Sequence, residues 1–202
     1  MARPALVLGA TPTPDRLLTS AAGEFAAHGF VGARLADIAA QAGVRRPSLI
    51  HHFKSKESLY AAVVEQAFAD LGEALVAAMH GVGSFADRLV EMTERFEAFL
   101  RGRPEVAPLL LREILDGRGP GRDIVLKQAV PMLRLVEGFL RREGGDAIPP
   151  GFPLRGALMQ SVSNLLLWSA AGPLRMPLWT DGNQAVDLAR ALFGPLPAKE
   201  NA

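Results

Sequence analysis

The sequence predicts an all-α chain, with a small three-helix N-terminal domain followed by a larger helical C-terminal domain. Three observations lead there. The 202 residues are 49% hydrophobic but only 6% aromatic, with a single Tyr, and this Ala- and Leu-rich apolar set favours helices over sheets. Apolar residues recur at three- and four-residue intervals along segments punctuated by Gly and Pro. Finally, two short apolar patterns, Leu35/Ile38/Ala39 and Leu49/Ile50/Phe53, flank Ala42-Gly43-Val44, where Gly43 is free to adopt the positive φ of a sharp turn.

Taken in order, residues 1–12 lack periodicity, contain Pro4 and Pro12, and read as a flexible arm. A first helix is expected from Pro14 to His28, with Pro14 at an early helical position and Asp15 favourable to the helix dipole. Leu18, Ala21, Ala22 and Phe25 form its apolar stripe, and Gly29 supplies its stop. Gly23 weakens this helix by roughly 1 kcal/mol relative to Ala. A second helix covers Leu35 to Gln41 and a third Arg46 to His52, the latter with Pro47 in its first turn, where a missing N–H is harmless. Leu49 and Phe53 should face the core, leaving Arg45, Arg46, Ser48 and His51 outward. Two short helices joined by a Gly-containing turn, with cations at the start of the second, form the pattern of a DNA-reading helix-turn-helix. A plain helical hairpin with a solvated basic edge has the same pattern. Ser55 can cap a fourth helix, which should reach Met79 and stop at Gly81-Val82-Gly83.

The remainder reads as helices throughout. Ser84 caps one ending near Arg101, whose apolar face is Leu89, Met92, Phe96, Phe99 and Leu100. Arg103-Pro104 breaks the chain, and Pro108 falls in the first turn of the next helix, which ends before Gly117-Arg118-Gly119-Pro120-Gly121. Another helix spans Arg122 to Glu143, with an internal Pro131 expected to kink it. After a Gly/Pro-rich loop from Gly144 to Pro153, two apolar helices follow, Leu154–Ala171 and Gly182–Phe193. The first is apolar nearly all round at Leu165-Leu166-Leu167-Trp168, so it must be buried on several sides, and a subunit interface is the economical way to do that. A self-contained core helix is the alternative. The expected division is an arm at 1–12, a helix-turn-helix domain at 13–56, a helical ligand-binding and dimerisation domain at 57–194 and a tail at 195–202.

The stretch Leu17 to Tyr60 resembles the N-terminal domain of the tetracycline-repressor (TetR) family of transcriptional regulators. The resemblance is carried by Phe25, Gly29-Phe30, Ile38-Ala39, Gly43-Val44, Leu49, His51-His52-Phe53 and Lys56-Glu57, a set of spaced landmarks in the same order. It implies a homodimer paired through the last two helices, binding a palindromic double-stranded DNA operator. It further implies a repressor that a small molecule in the helical body releases from that operator. By the same resemblance the outward positions of the third helix contact bases and phosphates, and of the two adjacent histidines one ring faces DNA while the other packs. Two departures stand out. The family's capping Thr or Ser before the second helix is replaced by Ala33-Arg34, a loss of about 1 kcal/mol. Its usual Tyr, whose hydroxyl contacts DNA, is replaced by Ile50.

The charge distribution agrees with a DNA-binding head. Residues 1–56 carry seven Lys/Arg against three acids, whereas the rest carries fifteen against eighteen. The DNA-contact set is Arg34, Arg45, Arg46, Pro47, Ser48, His51, Lys54 and Lys56, with Arg45 or Arg46 as the guanine reader, because a guanidinium grips O6 and N7 together. Arg34 has a solvated alternative, and Arg3 in the arm has either a groove contact or disorder. Lys56 beside the helix start makes a phosphate clamp. Candidate effector contacts are Met92, Phe96, Met132, Phe139, Met159, Gln160, Asn164 and Trp168, largely apolar, with Gln160 and Asn164 four apart and able to orient a polar group. The absence of Cys excludes thiolate chemistry and disulfides and suits the cytoplasm. Neither a signal peptide nor a membrane span is expected. Adjacent His51 and His52 lie about 100° apart around a helix and do not converge on one ion, so no metal and no cofactor is expected. No catalytic constellation stands out, so an enzyme is the weaker reading. A constitutive DNA binder without effector is the other.

Overall fold

The computed structural model describes residues 13–116, 120–179 and 184–194; the arm and tail expected at the two ends, Arg3 and most of the Gly117–Pro120 stretch lie outside them. Among the described residues there are helices and turns and no strand: α1 Thr13–Gly32, α2 Leu35–Gln41, α3 Arg46–His52, α4 Lys56–Met79, α5 Phe85–Gly102, α6 Val106–Asp116, α7 Pro120–Glu143, α8 Leu154–Ala170, α9 Arg175–Leu178 and α10 Ala185–Phe193. No described helix is long and apolar enough to cross a membrane.

The head packs α1, α2, α3 and the start of α4 around Leu17, Ala21, Phe25, Ile38, Leu49, Leu59 and Tyr60, each essentially inaccessible. Phe25 and Phe30 both meet the Tyr60 ring edge-on, at 4.8 and 5.2 Å between centroids. The expected boundary at 56/57 falls inside this core. Leu59, Tyr60, Val63 and Val64 belong to it, as do Leu109 of α6 and Val125 of α7, because the first two turns of α4 present one apolar face to the head. Gly29 does not simply end α1. It interrupts the helix at φ 69°, ψ 174°, and one further turn follows to Gly32.

The body is two clusters. One joins Leu71, Leu75, Met92, Val136, Leu140, Leu158 and Phe193; the other joins Leu100, Val106, Ala107, Leu165 and Ala185. α5 starts on the Ser84 cap the sequence predicts, and the structure makes it a capping box: Ser84 Oγ accepts from the Asp87 N–H, while Asp87 Oδ2 accepts from the Ser84 hydroxyl and N–H. The Ser84 hydroxyl and then its N–H hold the Asp87 carboxyl below its usual range. This contribution is therefore present above the ordinary carboxylate pKa and lost as pH falls through the lowered folded value. Ser84→Ala should lower stability by about 1 kcal/mol, read as a shifted urea midpoint; an unchanged midpoint would show the box to be idle.

α7 holds Pro131 inside it, as the sequence predicts; the proline is exposed, so water can serve the Lys127 carbonyl that loses its partner. Two expectations for the body need adjustment. The last helix begins at Ala185 rather than Gly182; residues 180–183 lie outside the description. Between α8 and α10 the chain folds into a 3₁₀ turn, Gly172–Leu174, and the short α9. Arg175 holds this segment down: Nε and Nη2 donate to the carbonyls of Trp168 and Ser169 at 2.9 and 3.1 Å, with the guanidinium 5.1 Å from the Trp168 ring centroid.

Candidate DNA-reading face and effector cavity

Two regions assemble the predicted residues. The first is the outer face of α2, α3 and the start of α4. Leu49 anchors α3 in the core, while Arg45, Arg46, Pro47 and His51 are exposed and Ser48 is half-buried. Gly43 makes the turn at φ 69°, a conformation that costs a residue with a side chain much more. Ile50 is exposed too, so the position usually held by Tyr offers an apolar surface. One expectation fails here: both histidines are exposed, their rings edge-on at 5.6 Å, and His52 does not pack. His52 is three positions after the buried Leu49 but in the last turn of α3, where the chain leaves the helix and its ring stays in solvent.

The missing cap on α2 is real, since Arg34 at the N-cap makes no side-chain capping bond. What secures the helix instead is Glu24, a buried carboxylate of α1. Its Oε1 accepts from the Arg34 backbone N–H and its Oε2 from Gln41 Nε2, both at 3.3 Å, and His28 Nδ1 stands 3.2 Å away. Sequence reasoning missed this residue. Its one signal was an acid placed beside the buried Phe25. The Arg34 side chain and Lys54 are exposed.

Lys56 is more constrained than a free phosphate clamp. Its Nζ donates to the Val31 carbonyl at 2.9 Å and sits 5.2 Å from the Phe30 ring centroid, tying α4 to the turn after Gly29. Burial lowers its pKa, partly offset by Glu57 and Glu24. Ser55 caps α4 reciprocally with Ser58.

α6 joins head to body. Arg112 Nη2 donates to the carbonyls of Ala26 and Ala27, at 3.4 and 3.1 Å, in the turn that leads to the break at Gly29. The Arg112 stem lies where a Gly29 side chain would stand: a Cβ there would come 2.8 Å from Arg112 Cδ. The neighbouring Glu113 is buried against Tyr60, whose phenol is held well above its usual pKa first by burial and then by that carboxylate.

The second region is a cavity of about 270 Å³ in the body, walled by α4, α5, α6, α7, α8 and α10. Met92, Phe96, Met132 and Met159 line it. The other four candidates do not. Phe139 is buried against Phe85, with the Arg88 guanidinium over its ring. Gln160 is exposed, Asn164 Oδ1 accepts from Trp179 Nε1 at 3.3 Å, and Trp168 meets Trp179 edge-on at 5.6 Å. The reason is helical phase. α8 turns Leu158, Ser161, Val162, Leu165 and Leu166 to the cavity, so the 160/164/168 stripe points elsewhere. Leu110 and Ile114 of α6 also line the cavity, placing it on the same helix as Arg112.

Comparisons with known proteins agree with this geometry. Residues 17–63 match the family model of bacterial regulatory proteins, tetR family. The HTH-type transcriptional repressor SCO4008 of Streptomyces coelicolor is 30% identical over 104 residues, 52% of this chain and 50% of that protein. The HTH-type transcriptional regulator RutR of Escherichia coli is 46% identical over 50 residues, 25% of this chain and 24% of its own length. The matched part thus spans about half the length of one curated relative and a quarter of the other. In fold, FadR of Bacillus subtilis, solved in complex with stearoyl-CoA, has a TM-score of 0.72 at 16% identity, covering 91% of this chain and 99% of that one.

Proposed function

The chain belongs to the tetR family of bacterial regulatory proteins, and from that membership we propose a DNA-binding repressor released by a largely hydrophobic small molecule. The observation that carries the DNA half is the outward pair Arg45 and Arg46, with exposed His51 and half-buried Ser48 beside them, on a helix locked by Leu49. At 7 residues α3 is about 10 Å long, enough to read a few base pairs of one major groove. In this reading Arg45 or Arg46 reads guanine, while Arg34, Pro47, Lys54 and Lys56 fix register on the backbone.

One head reads too little DNA, so two copies act together on a palindrome. We place the pairing surface on α8 and α10. Support comes from Leu167, Leu174, Met176 and Leu178, four large apolar side chains left exposed on α8 and the segment that Arg175 pins beside it. The cavity favours effector control over constitutive binding, since a packed body would have none. FadR's complex with stearoyl-CoA supports an apolar effector for a body of this shape. Occupancy shifts the protein toward a form whose heads no longer match the half-site spacing. A tenfold loss of DNA affinity needs about 1.4 kcal/mol of differential ligand binding.

Selection of bound duplexes from a random pool, followed by titration against salt, tests the reading. A palindromic consensus bound by a dimer supports it; a monomer that ignores duplex DNA at low ionic strength ends it. Lys56→Ala should reduce the slope of log affinity against log salt by about one per subunit. An unchanged slope would leave Lys56 only its contacts with Val31 and Phe30.

A further inference from the structure

The chemistry of the cavity wall narrows the effector class, and this step rests on the regulator reading above. Among the described residues, Thr93 and Ser161 supply the only side-chain heteroatoms in the lining apart from thioether sulfurs, and none of those lining it is charged. Both hydroxyls are already engaged: Thr93 Oγ1 donates to the Leu89 carbonyl at 2.9 Å and Ser161 Oγ to that of Ala157 at 3.3 Å. These bonds turn each hydroxyl back onto its own helix, so neither proton is offered to a ligand. A heteroatom brought inside would lose its water and gain no donor, a cost that hydrocarbon does not carry.

The shape is equally restrictive. On α7 the lining runs from Val125 to Leu140, a span of about 20 Å along the helix axis. A volume of about 270 Å³ spread along that length makes a narrow tube rather than a chamber. Ile114, Leu126 and Met159 line it and are themselves exposed, so the tube meets solvent among them. We infer that the cavity takes the flexible linear hydrocarbon tail of an amphiphile, leaves the polar head in solvent, and selects by tail length rather than by head chemistry.

The experiment uses the full-length protein with octanoate, decanoate, dodecanoate and tetradecanoate, with dodecanol as the neutral-head probe and cholate as the rigid polycycle. Affinity should rise about fourfold per added methylene until the tube is full, and dodecanol should match dodecanoate. Thr93→Val and Ser161→Ala should leave the series unchanged, while Ala129→Leu should move the plateau to a shorter chain. No slope with chain length, tighter binding of cholate than of any tail, or loss of affinity on removing either hydroxyl overturns the inference. Duplex selection by the same preparation keeps the readings apart. A protein that selects DNA but shows no chain-length slope loses only this inference; one that binds tails but no DNA loses the regulator reading.

Discussion

Gly29→Ala should destabilise the protein by roughly 2–4 kcal/mol, from backbone strain and overpacking together. At φ 69° and ψ 174° the backbone sits in a region essentially confined to glycine, and the added methyl would also meet Arg112 Cδ at 2.8 Å. The two contributions separate in a double variant. Arg112→Ala removes the collision but not the strain, so Gly29→Ala should cost less in that background and still cost something. Urea unfolding of the four proteins reads this directly. A Gly29→Ala protein as stable as the parent would show that the break in α1 is not enforced.

Arg46→Ala should weaken binding to a selected duplex by about 1–3 kcal/mol and relax the base preference at one position of each half-site. Arg46 is exposed at the first position of α3, ahead of Pro47, on the part of a recognition helix that enters a groove first. Competition between selected and scrambled duplexes discriminates the roles. A loss shared equally by both sequences would make Arg46 a phosphate contact and leave Arg45 as the reader. Wild-type affinity for both would remove it from the interface.

The contrast between what was readable and what was not follows the range of the interactions. α2, α3 and α4 begin and end where the sequence places them, because Gly43, Pro47 and Ser55 act on their own neighbours in the chain. Glu24 reaching Arg34 and Arg112 reaching Ala27 act across ten and eighty-five positions, and no local pattern encodes such a partner. The cavity-facing side of α8 was misassigned for another reason. A helix apolar on every side carries no periodic signal, so its rotation about its own axis was undetermined, and Asn164 and Trp168 were given to the wrong side. Met92 and Phe96, on the amphipathic α5, carried a phase and do line the cavity.

The Arg112 side chain lying in the notch at Gly29 limits how freely this regulator can be recombined. An engineer grafting a foreign head onto this helical body at the fourth helix would cut through a joint between positions 29 and 112. A chimera that keeps Arg112 but imports a bulkier residue at 29 should be strained, and one that loses Arg112 gives up its bonds to the Ala26 and Ala27 carbonyls. Interchangeable parts would have to be exchanged together with position 112.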